Sequence, residues 1–95
     1  DEHVLAFHDI DPQAPTHVLV IPKGPYEDMV AFSARSSAEE QAAFIRAIGE
    51  VAKIMGLEES GFRIISNNGK DGIQEVPHLH IHVLGGRRLG RMLTR

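Results

Sequence analysis

A seven-residue alternation of histidine and apolar side chains near the C-terminus constrains this chain more than any other feature. The segment reads His78-Leu79-His80-Ile81-His82-Val83-Leu84 and is followed by two glycines. Because successive side chains of a β-strand point to opposite faces of its sheet, the pattern predicts a strand over residues 78–84. The three histidines should share one face, while the aliphatic residues between them pack into the core.

Three further segments have the composition of strands. They are rich in β-branched, aliphatic and aromatic side chains, and turns rich in Pro, Asn or Gly follow them. The predicted strands cover residues 3–8, 16–21 and 62–66, and the turns cover residues 9–15 and 67–72. Since the connections are hairpin-like, we expect the strands to form an antiparallel sheet.

One long helix is predicted between the second and third of these strands. Ser36 with Glu39 and Ser37 with Glu40 form two overlapping capping-box patterns. Apolar residues then recur at helical spacing up to Gly56, which predicts a helix over residues 37–55. The predicted apolar stripe consists of Phe44, Ile45, Ile48, Val51, Ala52 and Met55. A short helix could also form within residues 26–35, and the whole pattern predicts an α+β fold.

Composition excludes several classes of protein. The 95 residues suffice for one domain and contain no cysteine, so neither a disulfide scaffold nor a thiolate site is available. Residues 1–86 carry six Lys and Arg against thirteen Asp and Glu, which argues against a nucleic-acid-binding surface. No apolar run reaches the ~20 residues of a membrane span. We therefore expect a cytoplasmic protein with no nucleic-acid or membrane partner.

The residues alone leave three explanations for the histidine face. It could be a solvated polar face of the sheet. It could be a metal site, since neutral imidazole is a common ligand, with a further ligand from His17, Glu75 or Asp9. It could also support nucleophilic and acid–base chemistry, in which one imidazole attacks while its neighbours orient it and handle protons.

The alternating segment resembles the signature of the histidine triad (HIT) superfamily, in which three histidines alternate with apolar residues. Other parts of the chain resemble the HINT branch, the purine nucleoside phosphoramidate hydrolases, and the resemblance runs from residue 4 to residue 88. The matching positions are Leu5–Ile10, Pro12–His17, Val20–Lys23, Asn67, Gly72, Gln74 and Gly85–Arg87.

The resemblance implies a fold as well as an activity. Family members have an antiparallel sheet of about five strands and one long α-helix, and they form two-fold dimers in which helices pack across the axis and the sheets join. It also implies that residues 1–95 are a single HIT domain, apparently lacking an N-terminal segment. Neither a metal nor another cofactor is expected.

The implied reaction is hydrolysis of the P–N bond of a purine nucleoside 5′-phosphoramidate. His80 would attack phosphorus and form a nucleotidyl-histidine that water then hydrolyses. His82 would contact the phosphate, and His78 would form a supporting pair with His17. Since the attacking nitrogen must be unprotonated, the other ring nitrogen of His80 should donate to a backbone carbonyl near His78. The alternatives are a nucleotide-binding regulatory module and a dinucleoside polyphosphate hydrolase.

The resemblance also assigns substrate contacts, with AMP, GMP or adenosine derivatives as the expected ligands. Phe7 and Ile10 would enclose the base, and Asp9 would accept hydrogen bonds from the ribose hydroxyls. Asn67 and Gln74, with the turn amides around Glu75, would donate to the phosphate. Glu75 replaces the serine usual in the family, and its carboxylate would repel the phosphate, act as a general acid or bind a cationic leaving amine.

Overall fold

Two helices and a four-stranded sheet make up residues 1–93, which are the residues that the computed structural model describes. In chain order the elements are β1 (Val4–His8), β2 (Thr16–Pro22), α1 (Met29–Arg35), α2 (Ala38–Ile54), β3 (Arg63–Ser66) and β4 (Ile81–Gly85). The strands form one antiparallel sheet in the order β1-β2-β4-β3. The predicted α+β fold with an antiparallel sheet is confirmed.

The two faces of the sheet differ in what they contact. On one face, alternate residues of β2 and β4 pack into a core with α2, so Val18, Val20, Ile81 and Val83 are at most 4% exposed. On the other face, Leu19 of β2 lies opposite both Phe7 of β1 and His82 of β4. This second face carries the histidines and the pocket described below.

The long helix α2 begins with one of the two predicted capping boxes. The Ser37 hydroxyl accepts the Glu40 N–H at 3.1 Å, and the Glu40 carboxylate accepts the Ser37 N–H at 2.9 Å. Phe44 and Ile48 are buried as predicted, but Ile45 is 67% exposed, so its place in the apolar stripe is wrong. One residue of helix rotates a side chain by about 100°, which carries Ile45 off the face that Phe44 occupies. No helix within residues 1–93 has the length and apolarity to cross a bilayer.

The segment 26–35, which could hold a short helix, contains α1. Asp28 caps this helix by accepting the N–H of Ala31 at 2.9 Å. Phe32 is the buried residue of α1, and its ring centroid lies 5.0 Å from that of Phe44 in α2. The short helix is thereby joined to the main core.

The loop that precedes α1 is fastened to the start of α2 through Tyr26. The Tyr26 hydroxyl donates to the Glu40 carboxylate, with distances of 3.0 and 2.9 Å to its two oxygens. The Tyr26 ring meets Phe32 edge-on at 5.2 Å between centroids. Both contacts fix the loop between β2 and α1.

The histidine strand begins later than predicted, at Ile81 instead of His78. The pairing of β4 with both neighbouring strands ends at that point, because Val20 of β2 and Ser66 of β3 are each paired with Ile81, although β2 itself continues to Pro22. The N–H of Leu79 instead donates to the carbonyl of Tyr26 at 2.8 Å, in the loop before α1. His78 and His80 therefore lie on an irregular segment whose position is set by loop contacts.

Candidate active site

A pocket of about 460 Å³ opens on the second face of the sheet. Its apolar lining comes from Phe7, Leu19, Ile21 and Val76, and its polar lining from His8, Asp9, His78 and His80, with Ile10 at the rim. The pocket brings together Phe7, Asp9 and Ile10 with His78 and His80, whereas His82 and His17 are not among the residues that line it. Leu19 and Ile21 were not predicted, although they alternate with the buried Val18 and Val20 and so must face the other side of β2.

The ring of His80 is oriented by its own chain. Its Nδ1 lies 2.8 Å from the carbonyl oxygen of His78. A carbonyl oxygen can only accept, so in the neutral imidazole Nδ1 carries the proton and Nε2 keeps its lone pair. The predicted backbone acceptor near His78 is confirmed, and the unprotonated nitrogen is the one able to act as a nucleophile.

His17 is paired with His82, and the predicted pair of His17 with His78 is wrong. His17 Nδ1 accepts the N–H of Gln13 at 3.1 Å, so the proton of a neutral His17 must be on Nε2. Nε2 then donates to His82 Nδ1 at 2.8 Å, which leaves the proton of His82 on its Nε2. The register explains the pairing, because His17 lies diagonally across from His82 on the same sheet face.

His78 has a different partner because it precedes the strand. Its Nε2 lies 2.8 Å from the carbonyl oxygen of Pro22, the last residue of β2. Nε2 is therefore the protonated nitrogen of His78. The imidazole ties the irregular segment to the end of β2, where it cannot reach His17.

His82 is held in its neutral form by its surroundings. Burial lowers the pKa of His82 most, the charges that His80 and His17 can carry lower it further, and Asp9 acts in the opposite direction. The ring of His82 meets that of His80 edge-on, with 5.1 Å between centroids. A neutral His82 beside His80 presents its Nε2–H as a hydrogen-bond donor.

Asp9 links the pocket to the paired histidines. One carboxylate oxygen accepts the N–H of Asp11 at 2.8 Å, and the other lies 3.4 Å from His17 Nε2. Within residues 1–93, Asp9, His17 and His82 bring three potential ligand atoms within 4.8 Å of one another, so these side chains could hold a metal ion. His17 Nε2 and His82 Nδ1 already share a proton at 2.8 Å, which a metal would have to displace.

Comparison with known proteins shows the family of this chain. Residues 1–89 match the family described as the HIT domain. The chain belongs to the HIT family. It is 65% identical over 94 residues to an uncharacterised 13.2 kDa HIT-like protein of Azospirillum brasilense, covering 99% of this chain and 77% of that protein. It is 47% identical over 97 residues to the purine nucleoside phosphoramidase of Escherichia coli K12, covering 99% and 78% of the two chains.

Solved structures of HIT proteins have the same fold. A HIT family hydrolase from Clostridium thermocellum superimposes with a TM-score of 0.87 at 41% identity, covering 98% of this chain and 81% of that one. A HIT family hydrolase from Legionella pneumophila gives a TM-score of 0.85 at 40% identity, covering 95% and 80%. These matches support assignment of this HIT domain to a family of hydrolases.

Three residues that were expected to contact the phosphate or the leaving group of a substrate do not line the pocket. The Gln74 amide is engaged by backbone groups of Gly69, Glu27 and Val76. Asn67 is half-buried and Glu75 is exposed, and neither is among the residues that line the pocket within the described chain. The predicted contacts of Asn67 and Glu75 with substrate stay predictions, whereas Gln74 has backbone partners for both ends of its amide.

Proposed function

We propose that this HIT protein hydrolyses the P–N bond of purine nucleoside 5′-phosphoramidates through a nucleotidyl-histidine at His80. The orientation of His80 carries the proposal, because its Nδ1–H is fixed on the His78 carbonyl at 2.8 Å and Nε2 is left with its lone pair. A relative that is 47% identical is named purine nucleoside phosphoramidase, which supports this substrate class.

In the first step, the Nε2 lone pair of His80 attacks phosphorus and forms a new P–N bond. The bond from phosphorus to the leaving nitrogen breaks, and that nitrogen departs as an amine after taking a proton from solvent. His80 keeps its Nδ1 proton and carries the positive charge of the phosphorylated imidazole. The His78 carbonyl, which accepts that proton, stabilises the charge.

In the second step, water attacks phosphorus and breaks its bond to Nε2. The nucleoside monophosphate leaves, a proton is released, and His80 recovers its lone pair. His82 would donate its Nε2–H to a phosphate oxygen in both steps. The pairing of His82 Nδ1 with His17 supports this role, since it keeps the His82 proton on the opposite nitrogen.

The remainder of the pocket suits a purine nucleoside. Phe7, Leu19 and Ile10 offer apolar surface for a base, and the volume of about 460 Å³ lies in the range of small-ligand pockets. The Asp9 carboxylate would accept hydrogen bonds from the ribose hydroxyls. AMP, GMP and adenosine derivatives are therefore the proposed ligands. Glu75, if it reaches the leaving group, would favour a cationic amine.

We also propose that the protein is a homodimer in which α2 packs against α2 of a second copy. Ile45 is 67% exposed on α2, and one turn further along Gly49 is exposed, with no atom of residues 1–93 within 4 Å of the place that a Cβ would take, apart from its chain neighbours and its own helix backbone. An exposed large apolar side chain beside a glycine allows another helix to approach closely.

Replacement of His80 by alanine tests the catalytic proposal. With adenosine 5′-phosphoramidate as substrate, His80→Ala should lower kcat by at least about 1,000-fold, because the nucleophile is lost. AMP should still bind the variant in calorimetry, since the base and ribose contacts remain. Intact-mass spectrometry of rapidly quenched wild type should detect an adenylated species that the variant lacks.

The control is His3→Ala, which removes a histidine that contacts Glu2 and Glu39, away from the pocket. It should turn over substrate at the wild-type rate. Unchanged turnover by His80→Ala would refute the assignment. A wild type that cleaves dinucleoside polyphosphates faster than phosphoramidates would favour the polyphosphate hydrolase, and binding without turnover of either would favour a regulatory module.

A further inference from the structure

The side chain of Gln74 connects two loops that meet beside the triad. Its Oε1 accepts the N–H of Gly69 at 2.9 Å, and its Nε2 donates to the carbonyls of Glu27 at 2.6 Å and Val76 at 3.0 Å. An amide group has two donor hydrogens and one acceptor oxygen, so both hydrogens and the oxygen are used by backbone partners. Gln74 therefore has no N–H left to offer a phosphate.

The contacts of Gln74 lead by a short path to His80. The Val76 carbonyl, which accepts from Gln74, also accepts the N–H of His78 at 2.8 Å. The His78 carbonyl in turn accepts the proton of His80 Nδ1. The backbone between Val76 and His78 is thus held at both ends, and its position decides whether the acceptor for His80 is in place.

Residues 22–27 form the support against which the segment of residues 74–79 is held. Three of their carbonyls accept from residues 74–79: Pro22 from His78 Nε2, Tyr26 from the N–H of Leu79, and Glu27 from Gln74 Nε2. The same loop is fastened to α2 through the hydroxyl of Tyr26 and the Glu40 carboxylate. Since residues before Ile81 have no strand partner, these three bonds replace the sheet ladder.

We propose that Gln74 is a positioning residue that holds residues 76–79 against the 22–27 loop and so keeps His80 in its reactive tautomer. Without its amide, the segment loses its tie to the Glu27 carbonyl, so the His78 carbonyl is held less closely against His80 Nδ1 and the His80 proton is shared between the two ring nitrogens. The inference rests on the proposed function only for its effect on rate. The position of the proton on His80 can be measured independently.

Gln74→Met tests the inference, because methionine has a similar volume and none of the three hydrogen bonds. We expect kcat for adenosine 5′-phosphoramidate to fall about 10- to 100-fold, the loss expected from a displaced reacting group. The affinities for AMP and adenosine should stay equal to those of wild type. In ¹⁵N NMR, His80 should show only Nδ1–H in wild type and a mixture of both tautomers in the variant.

The matched control is Gln41→Met, which removes an amide that donates to the Ser33 and Ser36 carbonyls at 3.3 and 3.4 Å. It should leave the His80 tautomer and kcat unchanged. Gln74→Glu keeps an acceptor for Gly69 but loses both donors, so it should behave like Gln74→Met. It replaces Gln74→Met in the experiment if the methionine variant does not fold.

Two results would overturn the inference. One is weaker AMP binding by Gln74→Met with unchanged adenosine binding and kcat, which would make Gln74 a phosphate ligand. The other is an unchanged His80 tautomer. A wild type without phosphoramidase activity would instead overturn the proposed function, and the tautomer measurement would still decide the role of Gln74.

Discussion

Three of the four paired imidazoles of the site, those of His80, His78 and His17, each have their proton placed by one backbone group. The His78 carbonyl sets the tautomer of His80, the Pro22 carbonyl sets that of His78, and the Gln13 N–H sets that of His17. Histidine suits such a site because its two nitrogens can take opposite roles once one of them is fixed. Only His82 depends on another side chain, so its protonation is the most sensitive to its neighbours.

His82 should titrate below the ordinary histidine value of about 6.5. Burial and the charges of His80 and His17 lower its pKa, while Asp9 raises it. An NMR titration of the His82 ring in the presence of chelator should give a midpoint below 6.5. Asp9→Asn should move that midpoint lower still, because it removes the one group that favours the charged form, and His17→Gln should move it upward.

The same shift has a consequence for stability. The folded state binds a proton at His82 less readily than the unfolded state does. The contribution of His82 to the free energy of unfolding is therefore fully present above about pH 6.5. It is lost as the pH falls from that value through the lower pKa of the folded state. A His82 midpoint at or above 6.5, or an upward shift in Asp9→Asn, would contradict this account of the site.

Sequence could predict a contact within the triad segment but not the contacts between strands. His80 Nδ1 reaches the carbonyl two residues earlier, and the need for an unprotonated nucleophile was enough to expect it. The pairing of His17 with His82 depends on the register of β2 against β4, which the spacing of histidines does not specify. The bond from Gln74 Nε2 to the Glu27 carbonyl likewise depends on a loop 47 residues away in the chain.

At the scale of elements, the helix was the most predictable part and the histidine strand the least. The Ser37–Glu40 capping box and the following apolar period lie within consecutive residues, so local sequence determined α2 closely. Alternation over residues 78–84 indicated the correct faces for Leu79, Ile81 and Val83, all at most 3% exposed. It could not indicate where β4 begins, because that depends on where its pairing with β2 and β3 ends.

The capping box should be measurable as an increment of stability. Ser37→Ala removes the hydroxyl that accepts the Glu40 N–H, and loss of such a cap costs about 1 kcal/mol. Urea unfolding followed by circular dichroism should show that decrease. Ser33→Ala is the control, since the Ser33 hydroxyl only donates to the Val30 carbonyl at the surface of α1. Equal effects of the two substitutions would contradict a specific capping role for Ser37.

At the scale of the whole molecule, the uncovered face of α2 is the feature that the chain alone does not explain. Ile45 and Gly49 lie on it, and within the described residues no atom approaches the position of a Cβ on Gly49 to within 4 Å. A two-fold axis through this face would place identical residues of the two copies against each other, so that one substitution acts twice.

Ile45→Lys should therefore weaken the proposed dimer. Two lysines would be brought together across the axis in place of two isoleucines, and loss of a central apolar contact of this kind costs about 2 kcal/mol or more, roughly a 30-fold rise in the dimer Kd. Sedimentation velocity over a concentration series measures that Kd. Val30→Lys, at a position of α1 that is 71% exposed, should leave it unchanged. A monomeric wild type, or an Ile45→Lys variant that dimerises like wild type, would show that α2 does not form the interface.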